Sequence, residues 1–289
     1  MKEENMEKLR LLIPKGRILN SILELFRDSG IVLRATERGY RPLSSLQWLD
    51  VKIMKPQNIG ELLELGSHDA GFTGYDWLQE THADVETVMD LGLDPVSIVS
   101  AIPEKFEPAT LVQKELVVAT EYINIAKAWL DTKGYRYRLL RTYGATEVFP
   151  PDDADMVIDN SSTGETLREN GLKVVDTILT SSTYFVSSKQ AMENPDKRMY
   201  IDQLAMLFTA VLDARERVML EMNISKAALS SLAGKLPCMR SPTIAPLYEQ
   251  SGYAVKIAVK RNEVPQLIPL LKTMGATDIV EYELRKVIL

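Results

Sequence analysis

Asp155-Met-Val-Ile-Asp159-Asn-Ser-Ser-Thr-Gly-Glu-Thr-Leu167 reads as a short apolar strand, a hydroxyl-rich turn and the start of a helix. Ser161, Ser162, Thr163 and Thr166 supply hydroxyls, and Gly164 lets the backbone come close to a ligand. The first amides of a helix have no partner within it, and its N-terminal end is positive. Hydroxyls, free amides and that dipole together make a phosphate site. Ser162 with Glu165 also fits a capping box, and such helix starts occur without any ligand, so the segment alone leaves both readings open. Asp155 and Asp159 bracket the strand, where carboxylates accept bonds from ribose hydroxyls or hold Mg²⁺ through oxygen.

Outward from this segment, short apolar runs alternate with helical periodicity, the signature of an α/β fold with a mainly parallel sheet. Leu9–Ile13 is a predicted strand, followed by the basic turn Pro14-Lys15-Gly-Arg17 and a helix ending at Gly30. Further strands are predicted at Asp50–Met54, Asp69–Gly74, Ser97–Ile102, Leu116–Thr120 and Tyr184–Ser188, with a helix over Ile123–Lys133. Asn194-Pro195 is a capped helix start, and the apolar stripe from Ile201 to Leu212 carries that helix to about Glu216. The chain is expected to cross between two lobes near 100 and return near 183. That gives one lobe from 1–102 plus 183–216, a second from 103–182, and a cleft between them.

The last seventy residues change character. Strands at Val218–Met222, Thr243–Tyr248, Ala254–Lys260 and Asp278–Leu284 enclose helices at Ser225–Ala233 and Glu263–Met274. The order βαββαβ over 217–289 is ferredoxin-like.

Bulk properties narrow the functional classes. A net charge of −6 over 289 residues argues against a general nucleic-acid binder, which needs clustered cations. The single cysteine, Cys238, rules out a disulfide framework, and the two histidines, His68 and His82, are too few for a His-rich metal site. The start, Met1–Lys8, is charged and lacks the apolar run of an export signal, and no stretch approaches the ~18 apolar residues of a membrane helix. A cytoplasmic home, with no membrane and no nucleic-acid partner, is expected.

The Asp155–Leu172 segment resembles the phosphoribosyl-pyrophosphate motif of the ATP phosphoribosyltransferases. Leu11-Leu-Ile-Pro-Lys-Gly-Arg17, Asp69-Ala-Gly-Phe-Thr-Gly74, Val117-Val-Ala-Thr120, Gly144-Ala-Thr-Glu-Val148, Ser241-Pro-Thr-Ile-Ala-Pro-Leu247 and Gly275-Ala-Thr-Asp-Ile279 are similar to segments of that family in the same order. The resemblance implies catalytic lobes like those of type II periplasmic binding proteins, followed by the regulatory domain of the family's long form. It implies that N1 of ATP displaces pyrophosphate from phosphoribosyl pyrophosphate with Mg²⁺, the first step of histidine biosynthesis, in a hexamer inhibited by histidine. Ser162, Thr163, Gly164 and Thr166 would then hold the 5′-phosphate, and Asp159 with Asp155 would face the ribose hydroxyls or Mg²⁺. Lys15 and Arg17 would meet pyrophosphate or the ATP phosphates, with Thr73 and Gly74 lining the cleft. No residue is assigned as a general base. Asn223 and Thr243 match inhibitor-contacting positions. The chain departs from the family at Lys55-Pro-Gln-Asn-Ile-Gly60, where an arginine is usual, so Lys55 would supply a point charge in place of a bidentate fork. A cytoplasmic solute-binding protein and a histidine-sensing pseudo-enzyme are the competing expectations.

Overall fold

The computed structural model describes residues 7–34, 39–232, 236, 238, 239 and 241–288. The charged start before Glu7 and the expected helix end at Ala233 lie outside them. The chain folds into two compact units, one of residues 1–24 and 31–202 and the other of 25–30 and 203–289.

The first unit runs β1 (Leu9–Pro14), α1 (Arg17–Ser29, its last turn in the other unit), β2 (Leu33–Arg34), β3 (Leu43–Ser44), β4 (Leu49–Met54), α2 (Ile59–Glu64), β5 (Ala70–Gly74) and α3 (Tyr75–Thr81). It continues through β6 (Glu86–Pro103), α4 (Pro108–Leu111), β7 (Glu115–Thr120), α5 (Ile123–Lys133), β8 (Arg136–Arg141), β9 (Met156–Ser161), α6 (Glu165–Glu169), β10 (Leu172–Ser187), α7 (Lys189–Glu193) and into α8 (Pro195–Arg215). Eight strands form one sheet in the order β4-β1-β5-β10-β6-β9-β7-β8. β1 pairs in parallel with β4 and β5, and β7 in parallel with β8 and β9. These two parallel sets are the two lobes. Between them run β6 and β10, antiparallel to each other from Leu172 opposite Pro103 to Ser187 opposite Glu86.

The sheet is therefore mixed, where the sequence pattern predicts a mainly parallel one. The second lobe is inserted between β6 and β10, so the returning strand must run back along the outgoing one. Neither long strand reads as such in the sequence. Thr177-Ile-Leu-Thr-Ser-Ser-Thr183 has no apolar alternation because this part of β10 crosses between lobes. Register shifts around Ser181–Tyr184 and left-handed Gly92 (φ 62) and Asp94 (φ 50) break the pairing there. β8 escapes for another reason: Arg136-Tyr-Arg-Leu-Leu-Arg141 is an edge strand blunted by arginines.

Each lobe has its own apolar packing. Leu12, Ile59, Leu63, Leu78 and Val186 close one face of the first. In the second, Ile98, Leu116, Val118, Leu130, Met156 and Ile158 pack on one face and Val99, Ala101, Ala119, Val157 and Leu167 on the other. Burial on both faces explains why these strands are continuous apolar runs. Asp69, buried at the start of β5, accepts hydrogen bonds from Arg10 Nη2 at 2.7 Å and Lys197 Nζ at 3.1 Å. These cations hold its carboxyl below the usual carboxylate range against the cost of burial.

The second unit carries β11 (Arg217–Ile224), α9 (Lys226–Leu232), β12 (Thr243–Pro246), β13 (Tyr253–Lys260), α10 (Val264–Thr273) and β14 (Ala276–Glu283). Its four strands are antiparallel in the order β12-β13-β11-β14, the ferredoxin-like arrangement. Val218, Leu220, Met222 and Ile224 alternate inward onto Val255, Ile257, Leu267 and Leu271. Ser225 accepts the Ala228 amide at 3.3 Å, as a cap should.

Candidate active site

The parallel strands of both lobes open their carboxyl ends onto one cleft, where open α/β sheets take ligands. Three recesses share walls there. The middle one is lined by Lys15, Arg17, Gly74 and Asp76 among others, and meets a second recess of about 400 Å³ at Arg17, Glu121 and Asn160. It meets the third, beside Lys55 and Arg141, at Gln57, Trp77 and Glu121.

The hydroxyl-rich turn forms one wall of the second recess through Ser162, Thr163, Gly164 and Thr166. Its shape comes from its own side chains. Ser161 Oγ accepts the Gly164 amide at 3.0 Å, and Thr163 Oγ1 accepts the Glu165 amide at 3.3 Å. Arg168 donates to the Thr163 carbonyl at 3.2 Å. Gly164, with φ 72, is the residue before α6, and it offers that helix no side-chain cap. The Ser162–Glu165 capping box does not form, so the hydroxyls of Ser162 and Thr166 are not used as caps. Both residues are exposed to the cleft, while Leu167 is buried and anchors the helix.

Asp159 lies in the same recess with Glu121 and Glu147. Burial pushes its carboxyl up to about 6, against hydrogen bonds from the Thr146 side chain and the Asn160 amide; the two glutamates push it the same way as burial. The Asn160 amide reaches Asp159 Oδ1 at 2.7 Å. Among the described residues, no three His, Cys, Asp or Glu side chains are grouped to hold a metal ion.

On the facing side, Lys15 Nζ donates to the Tyr40 hydroxyl at 3.2 Å and lies 5.2 Å from its ring centroid. Arg17 borders both adjoining recesses with half its side chain exposed. A Cβ at Gly74 would run into the buried carboxylate of Asp76, which hydrogen bonds from Tyr122 and Ser181 hold in place.

The sequence reading missed the groups between the lobes. Asp76 and Glu80, one turn apart on α3, are both buried, and among the described residues no cation bonds either one. Asp76 accepts hydrogen bonds from the Tyr122 hydroxyl and from Ser181, each at 2.7 Å. Asn160 donates to the same tyrosine at 3.1 Å. The Tyr122 hydroxyl is driven well above its ordinary range by burial and by Asp76. Glu80 accepts the first amides of α5, from Asn124 and Ile125, at 3.0 Å. Trp77 stacks on Tyr122 at 4.5 Å. The available signal was position: Asp76, Glu121 and Tyr122 lie just past the ends of β5 and β7, where ligand groups collect.

Two expected residues do not face the cleft, and both are corrections. Asp155 sits at the opposite end of β9, about 13 Å of extended chain from Asp159. It is occupied there by Lys114 and by the Val117 amide at 2.9 Å. Thr73 is fully buried and donates to the Pro56 carbonyl at 3.0 Å, fixing the turn after Lys55. Of the histidines, His82 ends α3 in a left-handed conformation and His68 hydrogen-bonds Ser67 at 3.1 Å.

In the second unit, Asn223 and Thr243 lie on the outer face of the sheet. Asn223 donates to Asp278 Oδ2 at 2.9 Å. Thr243 is exposed on edge strand β12, opposite Lys256, which pairs with Glu221 at 3.2 Å.

The chain thus combines a two-lobed α/β cleft, a hydroxyl-rich turn facing basic groups at the strand ends, and a separate βαββαβ domain. Residues 55–210 match the family described as ATP phosphoribosyltransferase, and residues 214–286 match its C-terminal domain. The chain is 38% identical to an ATP phosphoribosyltransferase of Chlorobium phaeobacteroides over 97% of both chains, and 36% identical to one of Thermodesulfovibrio yellowstonii over 97% of this chain and 98% of that one. An ATP phosphoribosyl transferase (HisG:HisZ) complex from Thermotoga maritima shares the fold, with a TM-score of 0.62 at 23% identity, covering 69% of this chain and 98% of that one. The chain belongs to the ATP phosphoribosyltransferase family in its long form, a pentosyltransferase of histidine biosynthesis, and the solute-binding alternative is not favoured.

Proposed function

We propose that the cleft binds phosphoribosyl pyrophosphate against the Ser162–Thr166 turn and ATP toward Lys55, Trp77 and Arg141. The observation that carries this is the shared wall at Arg17 and Glu121, which makes the recesses one continuous site. Ser162, Thr163, Gly164 and Thr166 receive the 5′-phosphate, and Asp159 accepts from the ribose hydroxyls. Lys15 and Arg17 bind the pyrophosphate.

As the bond to pyrophosphate breaks, positive charge grows on the ribose. Asp159, Glu121 and Glu147 place negative charge beside it, and Lys15 and Arg17 take the charge of the leaving group. N1 of adenine is already nucleophilic, so holding the two substrates in line supplies much of the rate without a general base. Asp159, an oxygen donor in the recess, would help hold Mg²⁺ beside the substrate phosphates. The ion would neutralise phosphate charge.

The second unit is read as a histidine-sensing domain using Asn223 and Thr243, in a cytoplasmic homo-hexamer. The test is to mix the protein with ATP, phosphoribosyl pyrophosphate and Mg²⁺ and follow pyrophosphate release, with and without histidine. Release that histidine suppresses is expected. A folded protein that releases none loses the catalytic reading, and release indifferent to histidine removes the regulatory one.

A further inference from the structure

Asp94 lies where β6 passes from one lobe to the other, with φ 50, a conformation that costs a non-glycine residue free energy. Its carboxylate meets the start of α1 at Arg17 and Ser21. Oδ1 accepts from Ser21 Oγ at 3.0 Å and lies 4.0 Å from Arg17 Nη1, which donates to the Asp94 carbonyl at 3.3 Å. Oδ2 is buried and has no hydrogen-bond partner among the described residues. Asp94 also lines the middle recess. α1 begins with Arg17 and has no acidic residue in its first turn, so a cation sits at the positive end of a helix without local compensation. Asp94 supplies the missing negative charge from another element.

We propose that Asp94 is a positioning residue for Arg17, holding the guanidinium toward the diphosphate of the substrate. This rests on the cleft being the phosphoribosyl-pyrophosphate site. The backbone carbonyl and carboxylate of Asp94 flank one Arg17 nitrogen and leave the rest of the guanidinium fork for phosphate oxygens. A purely structural Asp94 and a positioning Asp94 predict opposite things for glycine, which adopts φ 50 without strain. For a structural role, Asp94→Gly would change stability and leave substrate binding alone.

The experiment compares the wild type, Asp94→Gly, Asp94→Asn, Arg17→Ala and the double variant Asp94→Gly/Arg17→Ala. Readouts are KM for each substrate, kcat, the thermal midpoint, and calorimetric binding of inorganic pyrophosphate with Mg²⁺. Asp94→Gly should weaken pyrophosphate binding and raise KM for phosphoribosyl pyrophosphate by about tenfold, the loss expected on misplacing one charged hydrogen-bonding group. KM for ATP should hold, and Asp94→Asn should fall between; the thermal midpoint can move either way, as glycine relieves the strained φ and loses the Ser21 hydrogen bond. On the Arg17→Ala background, Asp94→Gly should add little. Unchanged pyrophosphate binding in an active Asp94→Gly enzyme overturns the proposal, as does full multiplication of the two single effects. A wild type that neither binds pyrophosphate nor turns over overturns the cleft assignment itself, and with it this role for Asp94.

Discussion

Thr166 reaches the cleft through an exposed hydroxyl that caps no helix. Thr166→Ala should weaken phosphoribosyl pyrophosphate binding by about 1–3 kcal/mol, the range for a hydrogen bond to a charged group. Calorimetric titration checks this, and unchanged affinity removes Thr166 from the site. Asp159 adds a pH dependence. Its carboxyl is raised by burial to about 6, so it is charged above that value and neutral below. If the ionised form grips the ribose, kcat/KM for phosphoribosyl pyrophosphate should drop as pH falls through about 6, and Asp159→Asn should erase that limb. The stability consequence has the opposite sense. A raised carboxyl pKa means the folded state holds its proton more tightly than the unfolded chain. Folding is therefore favoured at low pH and loses stability as pH rises from about 4 to about 6. Above that, Asp159→Asn should unfold at a higher denaturant concentration than the wild type. An unaltered midpoint at pH 8 contradicts the burial argument.

Helix α3 links the lobes through Asp76 and Glu80. Its buried residues are those two and Leu78, so two carboxylates anchor it alongside Leu78 and the stacked rings of Tyr75 and Trp77. Glu80→Ala strips the acceptor from the first amides of α5 and should cost about 1–2 kcal/mol, the scale of a lost helix cap. Equilibrium denaturation measures it, and Glu80→Gln should recover part of the loss. This linkage also marks the limit of what the sequence shows. Strands β1, β5, β7 and β9 announce themselves because burial on both faces demands runs such as Leu9–Ile13 and Leu116–Thr120, and edge strand β4 because buried Val51 and Ile53 alternate with Asp50 and Lys52. Glycines 30, 66, 134 and 275 close helices visibly because each takes a positive φ. The Ser161–Thr166 turn reads as a hydroxyl-rich helix start for a similarly local reason, since its residues are contiguous. Asp76, Glu80, Asp94 and Tyr122 were not legible, because their partners lie far away along the chain. The Asp155 expectation failed on geometry: two carboxylates at opposite ends of one strand cannot face one ligand.

The molecule joins a cleft-bearing unit to a small βαββαβ unit whose outer sheet face carries Asn223, Asp278, Glu221 and Lys256. If that face senses histidine, Asn223→Ala should leave the uninhibited rate intact and shift the inhibition curve to higher histidine; a curve that stays put removes Asn223 from the sensing surface. Sedimentation at assay concentration tests the hexamer. The long pair β6 and β10 carries a different implication, for synthesis on the ribosome. β5 finds its antiparallel neighbour only in Thr183–Ser187, more than a hundred residues later. At translation rates of about 5–20 residues per second, the growing chain spends roughly 5–20 seconds with β5 lacking that neighbour. During that interval the second lobe, whose strands β7, β8 and β9 are consecutive, emerges whole and can pack first. The first part of the protein to be made is thus among the last to be finished.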